Sequence, residues 1–263
     1  MSLKLYEHPL SPYVRKVKIV LYEKGVPFER VLVAPMTLKP DDPAYADFAG
    51  ASPRLEVPCL VDGDFRCFDS TIIVDYIDEK WPDPPMLPPA PRERARARMV
   101  EELCDTVLDA INWGMMEIRF FRRAEGDQAQ QMMARSGAQL AGVWDRLEAA
   151  LDGPWLSGAR FGRADASLIV HVVASGLFGF SLLDRHPRLR DWSARCLEVE
   201  SVKRDQADLA VFMGSDAARA MRKGPRLKRQ YRDHRLEWMF KTGGRDIVLR
   251  GLDEETIHFV SWP

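Results

Sequence analysis

The sequence predicts an α/β unit followed by an all-helical half, and three observations carry that reading. The first eighty residues or so alternate strand and helix patterns in the order βαβ, then ββα. Six prolines fall between Pro82 and Pro91. Beyond them, apolar residues recur at helical spacing.

Taken in order, "LKLY" (3–6) reads as a short strand. A helix follows over about 13–24, with Val14, Val17 and Leu21 on one face and Arg15, Lys16 and Lys18 on the other. Gly25 ends it. "FERVLV" (28–33) reads as a second strand, so the pair should be parallel with a right-handed crossover. A polar, proline-spotted stretch covers 35–53. "VPCLVDGDFRCF" then holds two β-rich runs about Asp62-Gly63-Asp64, a hairpin signal. "DSTIIVDYIDEKW" (69–81) is helical, with Ile73, Tyr76 and Ile77 on one face and Asp69 or Ser70 as its cap.

The proline run suits neither a helix nor a central strand, and reads as a stiff linker. After it come two long stripes, Val100 to Ile118 and Leu140 to Leu151. "ADASLIVHVVASGLFGFSLL" (164–183) is apolar nearly all round and reads as the central buried helix. "HPRLRDWSARCLEVESVKR" reads as one further amphipathic helix. In the last 48 residues a basic helical segment with Arg219, Arg222, Lys223, Arg226, Lys228, Arg229, Arg232 and Arg235 precedes two expected strands around "GLDEE". The expected divisions are 1–81, the linker 82–91, an all-helical part 92–215 and an extension 216–263.

The bulk numbers narrow the function. A formal net charge of −1 over 263 residues gives no reason to expect nucleic acid or an anionic membrane as partner. No apolar stretch is long enough to span a bilayer. The start "MSLKLYEHPL" lacks the apolar core of a signal peptide, so a cytoplasmic protein is expected. Cys59, Cys67, Cys104 and Cys196 match no zinc or redox spacing and read as buried structural residues. The five histidines form no short-range cluster, and no metal is expected.

Three short stretches carry chemistry. Ser11-Pro12-Tyr13 opens a helix. Ser11 there is a cap, or a hydroxyl placed to donate to an anion at the helix N-terminus. In "EVPCL", Pro58 just before a strand is either an edge residue or a cis peptide that exposes the Val57 backbone. "FDST" puts a carboxylate beside a hydroxyl at a helix start, which is either a plain cap or a holder for an amino-acid head group.

In this order, on this element pattern, the three stretches resemble the cytosolic glutathione transferase family over roughly residues 1–210. The resemblance implies a thioredoxin-like α/β N-terminal domain and an all-α C-terminal domain, here with a helix/hairpin extension. It implies that Ser11 contacts the glutathione sulfur and stabilises the thiolate. Val57 with a cis Pro58 would pair with the cysteinyl part, and Asp69 and Ser70 would hold the γ-glutamyl end. Lys39 is a partner for the glycyl carboxylate, or an ordinary surface lysine. A hydrophobic electrophile would sit between the domains near Tyr13, Trp113, Met116, Arg119 and Phe120, and a homodimer is implied.

The sequence departs from the family at several points. Omega-like relatives carry cysteine where Ser11 stands, so transferase or lyase chemistry is expected and deglutathionylation is not. "SPRLEVP" has Leu55 where a glycine is usual and Glu56 where an amide or cation is usual. "FGRADASL" has Gly162 in place of the Ser or Thr of a capping box, leaving Asp165 without its side-chain partner. Two rivals stay open. One is a non-catalytic module of the same fold that binds a macromolecule through its basic extension. The other is a thiol reductase, which would need an exposed Cys59 of depressed pKa.

Overall fold

In the computed structural model, residues 3–33, 43–223 and 227–259 are described. Four strands, β1 (Leu3–Glu7), β2 (Phe28–Leu32), β3 (Cys59–Asp62) and β4 (Phe65–Phe68), form one sheet in the order β2-β1-β3-β4. β1 and β2 run parallel with Leu3 opposite Phe28, and β3 and β4 close the expected antiparallel hairpin. Side-chain alternation assigns each face. Leu3, Leu5 and Leu60 pack on α1 (Pro12–Glu23) and α3 (Ser70–Lys80), while Tyr6 and Cys59 pack on the opposite side with Phe48.

Phe48 belongs to α2 (Pro43–Ala51), a helix inside the stretch expected to be irregular. Its packing under the sheet, more than its local pattern, makes it helical.

α1 differs from expectation in a more consequential way. All residues from Val14 to Leu21 are buried, the cationic face included. Arg15 donates to Asp205 from Nε (2.9 Å) and Nη2 (2.7 Å). Lys16 meets Glu101 at 2.9 Å and Asp105 at 2.6 Å, and Lys18 meets Asp208 at 2.5 Å. Burial works against the Lys16 charge, but Asp105 and Glu101 more than offset it and hold the ammonium above its ordinary pKa.

These carboxylates belong to the helical domain. α4 (Pro91–Leu103) and α5 (Asp109–Arg119) are joined by a π turn, Cys104–Leu108, which contains Asp105. α6 (Gly126–Ala150) follows, then α7 (Arg163–Leu177), which is buried through most of its length and packs against α1. α7 stops before the expected end at residue 183, and Gly179 takes a left-handed φ of +87° in the exit turn. The single helix expected after it is two, α8 (Pro187–Glu198) and α9 (Glu200–Met213), separated by an extended Val199.

The α7 N-terminus solves its missing cap from outside. Ala164 N–H donates to Ser157 Oγ at 3.2 Å, and Asp165 takes the Gly162 N–H at 3.1 Å. Ser157 thus supplies the side-chain acceptor that position 162 lacks. A Cβ at 162 would lie 2.6 Å from the Met86 carbonyl oxygen and 2.7 Å from Ser157 Oγ, so only glycine fits.

The extension is helical with a small parallel ladder, not a hairpin. It comprises α10 (Asp216–Lys223), β5 (Arg229–Gln230), α11 (Asp233–Thr242), α12 (Arg245–Asp253) and β6 (Ile257–His258). β5 pairs parallel with β6, and "GLDEE" is the end of α12 and its turn. Trp238 of α11 lies against Gly114 of α5, where a Cβ would come within 2.0 Å of the indole. Trp238 and Met239 are buried, whereas Phe240 and Phe259 stay exposed, and Trp262 is outside the described residues. No helix among the described residues is long and apolar enough to cross a membrane.

Candidate active site

A cavity of about 720 Å³ opens between the sheet layer and the helices. Its sheet-side wall contains Ser11, Tyr13, Val57, Pro58, Asp69 and Ser70. Six of the residues named from sequence therefore meet on one surface, from three separate loops. Lys39 lies outside the described residues.

Ser11 is the N-cap of α1, and its Oγ accepts the Val14 N–H at 3.4 Å. That bond uses a lone pair, so the hydroxyl proton is left without an acceptor among the described residues. The cap and the site are therefore compatible roles. Pro12 at the first helical position needs no N–H partner, which keeps the helix entrance open to an anion.

The Val57–Pro58 bond is cis. Among the described residues neither the N–H nor the carbonyl of Val57 has a hydrogen-bond partner. Leu55, two residues before, has φ +54°, a left-handed conformation that explains why a glycine is usual there. Asp69 is also left-handed, at φ +74°, and its Oδ1 accepts the Thr71 N–H at 3.1 Å. A non-glycine residue held in this region costs about 1 kcal/mol or more and tends to mark functional positions.

The helical side supplies a largely apolar wall. Trp113, Met116 and Phe120 line the cavity as expected, joined by Leu177 and Phe178 of the α7 exit. Phe120 and Phe178 meet edge to face at 6.0 Å. Arg119 is a correction. It ends α5, is exposed, and does not line the cavity, because a charged side chain at a helix C-terminus is better solvated there.

Tyr13 is committed to structure. Its hydroxyl donates to the Asp105 carbonyl at 2.7 Å and lies 3.4 Å from His234 Nε2. Burial, followed by the nearby Asp109 carboxylate, pushes its pKa well above that of an ordinary tyrosine. Ser11 remains the hydroxyl available for a thiolate.

The extension closes the cavity. Arg229, Gln230, Arg232, His234 and Arg235 all reach its wall. Arg235 grips Asp109 with Nε at 2.8 Å and Nη2 at 3.2 Å, and His234 Nε2 lies 2.9 Å from the same carboxylate. Burial of Asp109 opposes its charge, but Arg235 and His234 hold its carboxyl far below the usual range. Arg229 bonds Glu117 at 2.7 Å, and Arg232 stands 3.7 Å from Glu56. These three cations face carboxylates of the cavity wall, whereas Arg219 and Lys228 of the same basic segment stay exposed.

Cys59 is fully buried and its thiol donates to the Ala51 carbonyl at 2.8 Å. Burial pushes its pKa up to about 12. A disulfide-exchanging thiol needs the reverse, so the thiol reductase reading loses its one candidate.

The comparisons with known proteins agree with this geometry. The uncharacterized GST-like protein YibF of Escherichia coli K12 is 35% identical over 147 residues, 56% of this chain and 68% of that protein. The chain belongs to the cytosolic glutathione transferase family. Residues 5–85 of this chain match the family described as the glutathione S-transferase N-terminal domain. A stringent starvation protein A homolog of Haemophilus ducreyi is 34% identical over 114 residues, 42% of this chain but only half of that protein. Among solved structures, a glutathione S-transferase of Methylobacterium radiotolerans in complex with glutathione sulfonate is 28% identical. It covers 78% of this chain and 94% of its own, with a TM-score of 0.62. The family uses glutathione as co-substrate and supports a transferase-type function.

Proposed function

We propose that this transferase uses a Ser11-stabilised glutathione thiolate to attack a hydrophobic electrophile held in the cavity. The observation that carries the reading is the Ser11 hydroxyl, capped from below by the Val14 N–H and with its proton free for an acceptor in the cavity. Glutathione supplies the sulfur nucleophile. Ser11 donates to that sulfur, and the α1 N-terminus adds a favourable field, so both favour the ionised thiol near neutral pH.

The unpaired Val57 amide and carbonyl suit an extended peptide strand lying alongside them. Ser70 at the first position of α3, with its own N–H at the helix start, suits the γ-glutamyl carboxylate, and Asp69 suits the ammonium. Trp113, Met116, Phe120 and Phe178 suit an apolar electrophile body. We also take the active form to be a homodimer, for which Phe65, Ile72 and Met99 supply exposed apolar surface on β4, α3 and α4.

Calorimetric titration of reduced glutathione tests the reading. Saturable heat is expected from the native protein and should vanish in Asp69→Ala/Ser70→Ala. In Ser11→Ala, binding should persist while the pKa of the bound thiol, followed by ultraviolet thiolate absorbance, rises. Absence of heat and of any thermal shift at millimolar glutathione would sink the proposal.

A further inference from the structure

The turn that delivers Ser11 to the cavity is built on His8. β1 ends at Glu7, whose carbonyl accepts the Val33 N–H at 2.9 Å and whose carboxylate accepts from Arg30 Nε at 2.7 Å, so the chain enters the turn from a fixed point. α1 begins at Pro12, and His8, Pro9, Leu10 and Ser11 make the crossing. The backbone donors that follow His8 in this turn both end on it. Ser11 N–H donates to the His8 carbonyl at 2.9 Å, and Leu10 N–H donates to His8 Nδ1 at 3.3 Å. Pro9 has no N–H, and its fixed φ suits the second position of the turn.

A backbone N–H can only donate, so His8 Nδ1 offers its lone pair to Leu10 and the ring proton resides on Nε2. Phe212 of α9 meets the imidazole edge on, with ring centroids 5.2 Å apart, and holds the ring's orientation from the helical domain. Burial, aided by Arg229 of the extension, lowers the His8 pKa to about 4, so the Nδ1 lone pair is available throughout the neutral range. Ser11 is held less firmly on its other side. Its Oγ accepts the Val14 N–H at 3.4 Å, longer than an ordinary N–H···O bond. The direction of the hydroxyl therefore depends on where the turn places the residue.

Resting on the transferase reading above, we infer that His8 is a positioning residue for Ser11, whose Nδ1, by holding the Leu10 N–H, aims the Ser11 hydroxyl at the glutathione sulfur. His8 acts through the turn and exchanges no proton with the substrate. Without the Nδ1 acceptor the Leu10 N–H is released, the turn keeps only the Ser11 to His8 backbone bond, and the hydroxyl loses its fixed direction. A misplacement of about 1 Å is enough to cost a functional group most of its effect. Asparagine is the conservative replacement, because its Oδ1 accepts the N–H two residues on in an Asx turn.

The experiment follows ionisation of the glutathione thiol in its complex with the full chain, by ultraviolet thiolate absorbance against pH. Ser11→Ala is expected to lower the acid constant of the bound thiol about ten-fold or more, the worth of one hydrogen bond to a charged group. His8→Leu should lower it about three-fold or more, a part of that same bond. The double variant should match Ser11→Ala alone, since His8 acts only through that hydroxyl. His8→Asn should restore the native constant. Binding of S-methylglutathione, which has no ionisable thiol, should be unaffected by His8→Leu. Independently of any variant, ¹⁵N spectra of the histidine-labelled native protein should report a bare Nδ1 and a protonated Nε2 on His8. An unchanged constant in His8→Leu, a shift that adds to that of Ser11→Ala, no recovery in His8→Asn, weakened S-methylglutathione binding or the opposite tautomer overturns the inference while the transferase reading stands. A native constant unmoved by Ser11→Ala, or a native protein that binds no glutathione, overturns both.

Discussion

Arg232 Nη1 in the C-terminal extension stands 3.7 Å from Glu56 Oε2, beside the backbone that would receive glutathione. Glu56 puts an anion where the family usually has an amide or cation. The extension brings a guanidinium to it, and Arg54 Nη1 approaches the same oxygen at 3.7 Å. The departure at position 56 and the presence of the tail are thus two halves of one arrangement.

Arg232→Glu should accordingly raise KM for glutathione several-fold, on the order of five, because it sets two carboxylates against each other at that wall. kcat should change less. The swap Arg232→Glu/Glu56→Arg should recover most of the loss, and a double-mutant cycle on KM measures the coupling. Additive effects would sink the pairing.

Arg235→Met should destabilise the protein by about 3–5 kcal/mol, since it strands the buried Asp109 carboxylate with His234 alone. Asp109 has a depressed pKa in the fold, so its contribution is present above the unfolded carboxylate pKa and disappears as pH falls below it. The penalty should therefore be full at pH 7 and shrink below about pH 4. Urea unfolding at both pH values checks this.

Gly162→Ser would restore the residue the family favours, and should nevertheless destabilise by about 1–3 kcal/mol. Its Cβ would press on the Met86 carbonyl and on Ser157, whose hydroxyl already performs the cap. Adding Ser157→Ala should recover only part, because the Met86 contact remains. Thermal unfolding of the three variants decides it.

His8 lines the same cavity, and its Nδ1 accepts the Leu10 N–H at 3.3 Å. Burial, aided by Arg229, pushes its pKa down from 6.5 to about 4. The unfolded chain binds this proton more readily than the folded one. Stability is therefore complete above about pH 6.5 and is lost as pH falls towards 4, by about 2 kcal/mol at pH 5. His8→Asn, whose Oδ1 can keep the Leu10 bond, should flatten stability between pH 7 and pH 5. An unaltered slope would show that the ring titrates normally.

Local pattern explains which parts of the fold could be read in advance. β1, α1, β2, the β3–β4 hairpin and α3 each announce themselves by period, cap or turn within a few residues. α2 does not, since Phe48 reaches the sheet from a proline-spotted stretch with little helical signal of its own. The break at Val199 has no glycine or proline to mark it. The candidate site was legible where it is made of loop motifs, at Ser11, Val57-Pro58 and Asp69-Ser70, which meet on one cavity wall. It was not legible where cations of the tail turn inward, because the partners of Arg229 and Arg235 lie 112 and 126 residues upstream. A run of arginines looks alike whether it faces water or a buried carboxylate.

Helix α1 leads with the serine that faces the cavity, while Arg15 and Lys16 along its body pair with carboxylates 190 and 85 residues later in the chain. During synthesis this helix leaves the ribosome among the first elements, yet the native partner of Arg15 does not exist until α9 has been made. The end of the molecule that carries Ser11 is thus completed late, and a chain stalled before α9 would carry a helix with its cations still in need of water.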